Sequence, residues 1–399
     1  MASTQTREPL TTGSDTPASI RQGTLASNTV IGIAAGSVAA GVGITLALFG
    51  ANYALMILIA TACYMVALYS VSRRTEGARR ATDRMVTTIV SLAFALAVLP
   101  LVSVIYTVVE KGTARFDMAF FTETMRNVVG VGGGASHALI GTLIITALAA
   151  AISVPIGIMT AVYLVEYGRG PLARAVTLLV DVMTGIPSIV AGLFAAGLFA
   201  QLAGPGTKNG FAGAVALSVL MVPIVVRSAE EMIRLVPNEL REASYGLGVP
   251  KWRTITKIVL PTSIGGILTG VTLAIARVIG ETAPLLIAVG TTDSTNLNPF
   301  SDRMETLPIF AYYSYQQPGF GEGIQASYDR SWAASLTLML VVMVLFGLAR
   351  VLGHDVLRRV FGDRVDAGLL GSQTALTATV FVSRLMPFVS FDMISYAAG

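Results

Sequence analysis

Two charged residues lie inside an apolar run that is long enough to cross a membrane. Arg277 and Glu281 are four residues apart within residues 263–290, so on a continuous helix they share one face. A charge at that depth costs roughly 2.5–3.5 kcal/mol on insertion scales and usually faces a cavity or a partner. A guanidinium matches the oxygens of an oxyanion. Arg277 could therefore line an anion path, with Glu281 orienting it or accepting a hydrogen bond from a protonated oxyanion. The alternative is an internal ion pair that only holds helices together.

Further charges lie near the ends of apolar runs. Arg227 directly follows residues 211–226, where it either snorkels to the membrane surface or serves the same anion path. Asp181 lies early in another run, and because a carboxylate repels an anion we expect it to hydrogen-bond between helices. Glu166 and Arg169 belong to a short loop and are expected to be solvated.

The composition indicates that most of the chain lies in a lipid bilayer. Hydrophobic residues make up 54% and charged residues 13%, whereas a soluble domain carries about 25% charged residues. A helix needs about 20 apolar residues to cross the hydrocarbon core. We predict an all-α polytopic membrane protein with eight such stretches: 30–49, 53–71, 85–109, 138–165, 175–203, 211–226, 263–290 and 332–352.

Loop charge predicts the orientation of these spans. Arginine and lysine cluster after the second span, between the sixth and seventh, and after the eighth, whereas the loops at 110–137 and 291–330 hold fewer. The basic side is cytoplasmic, so both termini are expected there. The predicted segments are a disordered lead (1–29), a transmembrane hairpin (30–71), a membrane domain (85–360) with a polar loop (234–262), and a tail (361–399) without a ninth span.

Several function classes lack their usual signals. Cys63 is alone and the two histidines are far apart, which excludes an internal disulfide and gives little support for a metal site. The basic residues sit in loops between spans, so they indicate topology rather than nucleic-acid binding. The chain has no phosphate-loop motif for binding ATP, and no metalloprotease or serine-hydrolase motif. Glycine pairs four residues apart predict close helix contacts at Gly32 with Gly36 and at Gly266 with Gly270.

The polar loop before the seventh span is the most informative segment. It reads LVPNELREASYGLGVPKWRTITKIVLP over residues 235–261. We predict one short helix that Glu242 opens and a second, amphipathic helix that Pro250 begins. Such a helix can dock in a groove of a soluble partner. The alternative is an interfacial anchor that binds only lipid.

This loop resembles the EAA signature of ABC-importer permeases, in which Glu-Ala-Ala is followed by three residues, a glycine and a hydrophobic stretch that ends in proline. Glu242, Ala243, Gly246 and Pro261 match, with Gly248 in the same loop, while Ser244 replaces the second alanine. The resemblance implies the fold of a type I ABC importer permease, a six-helix core that here follows the N-terminal hairpin. It also implies that the loop is the coupling helix that enters a cleft on a separate ATPase subunit.

Four further segments resemble the PstA type of phosphate permease. They are SVPIGIMTAVYLVEYGRG, GIPSIVAGLF, MVPIVVRSAEEMI and ARVIGETAPLL, which lie between residues 153 and 286. The resemblance implies transport of inorganic phosphate across a bacterial inner membrane, and it favours a role for Arg227 in the pathway. It further implies a homologous PstC-type permease, a PstB-type ATPase dimer that holds ATP and magnesium, and an external PstS-type phosphate-binding protein. This chain itself is expected to bind no cofactor and to be no enzyme.

Three rival functions remain open at this point. The same machine could carry another oxyanion, such as sulfate or molybdate. A transporter driven by an ion gradient is the second rival, although such proteins often contain inverted repeats and none is visible here. The third is a sensory or structural membrane subunit.

Overall fold

Residues 25–361 are described by the structure, which is a computed structural model. The predicted lead up to residue 24 and the predicted tail from residue 362 lie outside the described residues. Within residues 25–361 all regular structure is helical. The chain divides into two compact units, residues 1–99 and residues 100–399, and each is described by itself.

The first unit is built around a helical hairpin. Helix α1 spans Ser27–Phe49, α2 spans Tyr53–Thr75 and α3 begins the stretch Ala78–Gly112. The Asn52 side chain caps α2 by accepting a hydrogen bond from the Leu55 amide at 3.2 Å, which satisfies one of the free amides at a helix start.

The close helix contact in this hairpin is made at Gly41, whose backbone lies against Ala60. The prediction for Gly32 and Gly36 is wrong, because a methyl group added at either would meet no atom within 4 Å. The four-residue glycine spacing is common on apolar helices, and it does not by itself say which face is packed.

A buried carboxylate closes the end of this unit at the turn between α2 and α3. Glu76 is 2% exposed and accepts hydrogen bonds from Arg84 Nε at 2.7 Å, Arg84 Nη2 at 2.9 Å, Leu25 N at 2.7 Å and Ser72 Oγ at 2.8 Å. The Arg84 guanidinium, followed by the Leu25 amide, lowers the pKa of Glu76 to about 2. One side chain therefore ties the start of α1 to the turn between α2 and α3.

The second unit contains the remaining elements, in this order: the end of α3, α4 Met118–Thr122, α5 Ser136–Val162 with a π-helical turn at Tyr163–Tyr167, α6 Pro171–Thr184, α7 Ser188–Ala203, α8 Gly210–Arg234, α9 Asn238–Gly246, α10 Lys251–Thr254 with a π-helical turn at Ile255–Val259, α11 Leu260–Val278, α12 Ala283–Ala288, α13 Leu307–Gln316 and α14 Gly323–Phe361.

Seven of the helical segments within residues 25–361 are long and apolar enough to cross a membrane, and a bent pair could supply an eighth. The prediction of an all-α, multi-pass protein is confirmed, but two spans differ from their predicted form. The predicted fifth span is two helices, α6 and α7, bent by 108°. The predicted seventh span breaks after Val278, and its helix already begins at Lys251.

The core of the second unit lies between α5, α7, α8, α11 and α12 and is rich in alanine. Small residues let the helix backbones approach closely. A methyl group at Gly266 would strike Met232, and one at Gly270 would strike Ser228, so the predicted close contacts at these two glycines are present. Because the paired numbers rise on α11 as they fall on α8, the two helices are antiparallel.

Buried polar contacts hold the loops that adjoin α5, α13 and α14. His137 Nε2 lies 3.1 Å from Glu305 Oε2, and burial raises the pKa of this carboxyl. Arg330 donates from Nη1 to the carbonyls of Gly130 at 3.0 Å and Gly132 at 2.7 Å, which holds the glycine-rich loop before α5 against the N-terminal part of α14. These contacts replace the water that a loop backbone would otherwise need.

We expect Glu76→Gln to loosen the first unit, because it removes the charge to which Arg84, Leu25 and Ser72 donate. A hydrogen bond to a charged group contributes about 1.5–3 kcal/mol, so hydrogen exchange of the Leu25 amide should accelerate on the order of tenfold or more. Since the folded pKa lies below the unfolded value of 4.5, this stabilisation is complete above that pH and is lost as pH falls towards 2.

Exchange measured by mass spectrometry across this pH range checks the prediction. Asp83→Asn is the matched control, because Asp83 is exposed on the same segment. Equal exchange in the Glu76 variant and the control would contradict the role given to Glu76.

Candidate functional site

The break in the seventh apolar segment lies beside Arg277. This arginine is in the last turn of α11 rather than in the middle of a span, and it is exposed on the surface of the chain. Glu281 follows the helix end, so the predicted shared helix face is wrong. The two residues still interact electrostatically, although within residues 25–361 they form no ion pair closer than 4.0 Å. Arg277 therefore keeps donor groups that are available to a ligand.

A second helix break lies against the first one. The elbow between α6 and α7 contains Gly185, Ile186 and Pro187, and Ser188, the first residue of α7, interacts with the Glu281 side chain. One turn later, Gly192 packs against the backbone of Pro284 in α12, where an added methyl group would lie 2.6 Å from its Cα. Two interrupted helices thus meet at Ser188 and Glu281.

Arg227 lies in a different environment from Arg277. Helix α8 continues to Arg234, so Arg227 is inside the helix and not at its end as predicted. Its Nη1 donates to Glu230 at 2.8 Å, and its Nη2 pairs with Asp181 of α6. Asp181 therefore makes the expected helix–helix hydrogen bond. The charge of Arg227 is compensated by two carboxylates.

A cleft of about 370 Å³ opens beside this ion-pair network, between the end of α5, α6 and α8. Its charged lining residues are Arg174, Asp181, Glu230 and Arg234. Two arginines and two carboxylates cancel in formal charge, so the cleft offers an anion no net attraction. Within residues 25–361 no group of three His, Cys, Asp or Glu residues is placed to hold a metal ion.

The helix register separates the two arginines along the axes of α8 and α11. Gly266 faces Met232 and Gly270 faces Ser228, and this antiparallel pairing puts Arg277 level with position 221. Arg227 is then about six residues away, or roughly 9 Å along the axis at 1.5 Å per residue. The structure therefore brings Glu281, and not Arg227, to Arg277.

The EAA-type loop begins with the nine-residue helix α9. It starts at Asn238, so Glu242 lies within the helix and does not open it as predicted. At its end the Val249 amide donates to the Ser244 carbonyl at 3.2 Å and the Gly248 amide donates to the Tyr245 carbonyl at 2.9 Å. These two hydrogen bonds form a Schellman cap, which needs a left-handed residue at Gly248, where φ is 73°.

The two glycines of this loop consequently have different roles. Gly248 is required by the cap, whereas a methyl group at Gly246 would meet no atom within 4 Å. The signature's glycine is therefore better placed at Gly248 than at Gly246. Ser244, which replaces an alanine of the signature, is buried and hydrogen-bonds Thr254 at 2.8 Å, so this departure joins α9 to α10.

Pro261 does not end a separate helix. It is the second residue of α11, and α10, the π-helical turn and α11 form one continuous helix from Lys251 to Val278. A π-helical turn directly before a proline is a usual way to accommodate its missing amide and bulky ring. The predicted second helix of the loop is therefore the N-terminal end of the seventh span.

The loop presents an exposed surface, called here the docking face, that combines a carboxylate with apolar groups. Its residues are Glu242, Ala243, Tyr245, Leu247 and Trp252. Leu247 is 84% exposed and Trp252 is 58% exposed. Large exposed apolar side chains beside a charge are typical of a protein interaction site.

One pair of residues next to this loop was missed by the sequence analysis. Glu166 was expected to be solvated, but its side chain is 5% exposed and accepts from Arg241 Nε at 2.9 Å. The prediction failed because the partner is distant in sequence and the loop around Glu166 is polar. The glutamate at the end of an apolar helix was the available signal.

Comparison with known proteins shows which family this chain resembles. The family described as "Binding-protein-dependent transport system inner membrane component" matches residues 153–358. The phosphate transport system permease protein PstA 1 of Mycobacterium tuberculosis is 46% identical over 267 residues, which cover 66% of this chain and 86% of that protein. The corresponding protein PstA of Yersinia pestis is 39% identical over 285 residues, which cover 70% of this chain and 93% of that protein.

The chain belongs to the PstA family of phosphate transport system permease proteins. Its fold is therefore that of a type I ABC importer permease, embedded in the membrane by several helices. Relatives of this family are permeases of a transport system and not enzymes. Among solved structures, an amino acid ABC transporter with histidines has a TM-score of 0.42 at 19% identity, covering 55% of this chain and 92% of that one.

The contact between the two broken helices gives a testable prediction. Gly192→Ala should lower the melting temperature of the purified protein, because its methyl group would overlap the Pro284 backbone, and overpacking costs typically 1–3 kcal/mol. Gly197→Ala in the same helix is the matched control, since a methyl group there meets no atom within 4 Å and alanine favours the helix by about 1 kcal/mol. If both variants melt alike, α7 and α12 do not pack as described.

Proposed function

We propose that this chain is a transmembrane permease subunit of an ATP-driven phosphate importer and forms half of its translocation pathway. The observation that carries the proposal is the position of Arg277. It is an exposed cation in an apolar segment, beside a helix break, with Glu281 as its charged neighbour. A charged residue within a membrane-spanning segment is taken to be functional by default. The relatives named above are phosphate permeases.

Arg277 is the group that we assign to the phosphate ion. A guanidinium offers planar donors that match phosphate oxygens, and a basic group in a pore lowers the electrostatic barrier for a multiply charged anion. The exposure of this side chain on the isolated chain supports a position that faces the pathway formed with the second permease. The Ser188 end of α7 and Glu281 complete this wall of the pathway.

Glu281 is proposed to select for a protonated oxyanion. Its carboxylate accepts a hydrogen bond from the hydroxyl of a hydrogen phosphate ion, whereas sulfate carries no proton at neutral pH. The same carboxylate repels an anion that cannot donate. This assignment favours phosphate over sulfate or molybdate as the cargo.

We assign Arg227 a structural role, whereas the resemblance alone implied a role in the phosphate pathway. Its pairs with Asp181 and Glu230 leave it little attraction for phosphate. We propose that it holds the elbow helix α6 against α8, on the cytoplasmic side of Arg277. A role in releasing phosphate to the cytoplasm would first require these pairs to open.

The docking face of the EAA-type loop supports an ATP-driven mechanism over an ion-gradient one. A short helix with exposed Leu247, Tyr245 and Glu242 fits a groove on a soluble partner, and a lipid anchor would not expose a carboxylate with them. The partners we propose are a PstB-type ATPase dimer that binds ATP and magnesium, a homologous PstC-type permease and a PstS-type binding protein. Both termini then lie on the cytoplasmic side of a bacterial inner membrane.

Uptake into vesicles that contain all four kinds of subunit tests the pathway. Arg277→Gln should reduce ATP-dependent phosphate uptake at least tenfold, because the barrier to the anion rises by 1.4 kcal/mol or more. Glu281→Gln should let sulfate compete, since its amide gives sulfate a donor that the carboxylate lacks.

Arg79→Gln controls for a general loss of positive charge, as Arg79 is exposed at the start of α3. Undiminished uptake with Arg277→Gln would assign the chain a sensory or structural role. Unaltered selectivity with Glu281→Gln would remove Glu281 from substrate recognition.

The two glycines of the EAA-type loop test the docking. Gly246→Leu should weaken co-purification with the ATPase without lowering the melting temperature of the chain, because the added side chain enters open space on the surface of the loop. Gly248→Ala should lower the melting temperature, because a left-handed backbone costs a non-glycine residue about 1–2 kcal/mol. ATPase binding that tolerates Gly246→Leu would show that this surface is not the interface.

A further inference from the structure

The end of α5 is fastened to the EAA-type loop by a buried ion pair. Arg241 on α9 contacts Glu166 Oε1 through Nε and Nη2, both at 2.9 Å. The side chains are 12% and 5% exposed, so water screens the pair weakly. The two residues are 75 positions apart, and the contact therefore joins separate helices.

Arg241 also closes the end of α8. Its Nη1 donates to the Val236 carbonyl at 2.5 Å and its Nη2 donates to the Ile233 carbonyl at 3.0 Å. Carbonyls at a helix end lack partners inside the helix, and a basic side chain there is favourable. One guanidinium thus connects α9, the last turn of α8 and the end of α5.

A second cation binds the same end of α5 from the other side of the loop. Lys251, the first residue of α10, donates to the Glu166 carbonyl, and its ammonium lies 4.8 Å from the centre of the Tyr167 ring. Glu166 and Tyr167 belong to a π-helical turn, whose wider geometry leaves carbonyls free to accept from outside the helix. Both helices of the EAA-type loop are therefore held by two adjacent residues of α5.

We propose that the Glu166–Arg241 pair is the connection through which movement of α9 is passed to α5. Glu166 is then a positioning residue for coupling, and it binds neither phosphate nor ATP. The inference rests on the proposed function, because it presumes that α9 docks on an ATPase subunit. Without the pair, α9 still follows the ATPase, but its direct connection to the end of α5 is lost and movement of α5 with α9 is weakened.

The alternative is that Glu166 only stabilises the folded chain. A structural role would lower the amount of assembled complex, and phosphate uptake and ATP hydrolysis would fall together. A coupling role changes the ratio of phosphate transported to ATP hydrolysed. This ratio is the deciding measurement.

The experiment uses the complete complex in vesicles, with radiolabelled phosphate uptake and ATP hydrolysis measured on one preparation. Glu166→Gln keeps the size of the side chain and removes its charge, so ATP hydrolysis should persist while the ratio falls by about five- to tenfold, within the usual range of coupling between sites. Glu239→Gln is the matched control, since Glu239 is exposed on α9, the helix that carries Arg241, and its ratio should stay unchanged.

A second variant covers the case in which Glu166→Gln does not assemble. Arg241→Lys keeps the positive charge, but one ammonium cannot replace a guanidinium that spans Glu166, Ile233 and Val236, so its ratio should also fall. When both single variants assemble, the double variant should be no worse than either alone, because the two residues act through one contact.

Two results would overturn the inference. An unchanged ratio in the assembled Glu166→Gln or Arg241→Lys complex would exclude a role in coupling while leaving the proposed function intact. Absence of ATP-dependent phosphate uptake by the unsubstituted complex would overturn the proposed function and this inference together.

Discussion

The need to satisfy backbone hydrogen bonds in an apolar layer governs this structure. A continuous helix meets the need within itself, and any interruption must find neighbours that do so. The chain interrupts two of its apolar segments, between Thr184 and Ser188 and between Val278 and Ala283, and it places the two interruptions together. Ser188 then faces Glu281, and Gly192 lets α7 approach the backbone of Pro284. Close packing of two broken helices makes polar backbone tolerable there, and transporters build substrate sites in such places.

Charge compensation within the chain distinguishes Arg227 from Arg277, the two arginines that the sequence suggested for the anion pathway. Arg227 has two carboxylate partners, and the cleft beside it is balanced in charge. Arg277 has one carboxylate nearby, without a direct ion pair, and it is exposed. An anion gains more from the cation whose field is not already cancelled. Their depth in the bundle differs as well, so the argument for one arginine does not carry over to the other.

Hydropathy was enough to predict most spans, because each is an apolar run with polar ends, and the EAA-type loop stood out because it is polar and lies between two such runs. The breaks could not be predicted in this way, since composition stays apolar through residues 175–203 and 263–290. Pro187 and Pro284 were visible, but prolines are frequent in membrane helices and most only bend them. Glu166 was misjudged for another reason: burial by Arg241 depends on a contact across 75 residues, and local polarity does not report it.

The EAA-type loop and the proposed phosphate site are joined by a single helical segment. Lys251 and Arg277 lie near opposite ends of one helical segment of 28 residues, about 40 Å long at 1.5 Å per residue. The docking face ends on this segment at Trp252, and Arg277 lies in its last turn. A continuous rigid helix can transmit movement from one of its ends to the other, whereas closeness of two sites in space does not by itself couple them. In the proposed coupling, the Glu166–Arg241 pair adds α5 to the same movement, so that α5 and α11, which both pack against α8, shift together. Under the proposed function, rocking of these two helices about the contact between Ser188 and Glu281 would change which side of the membrane can reach Arg277.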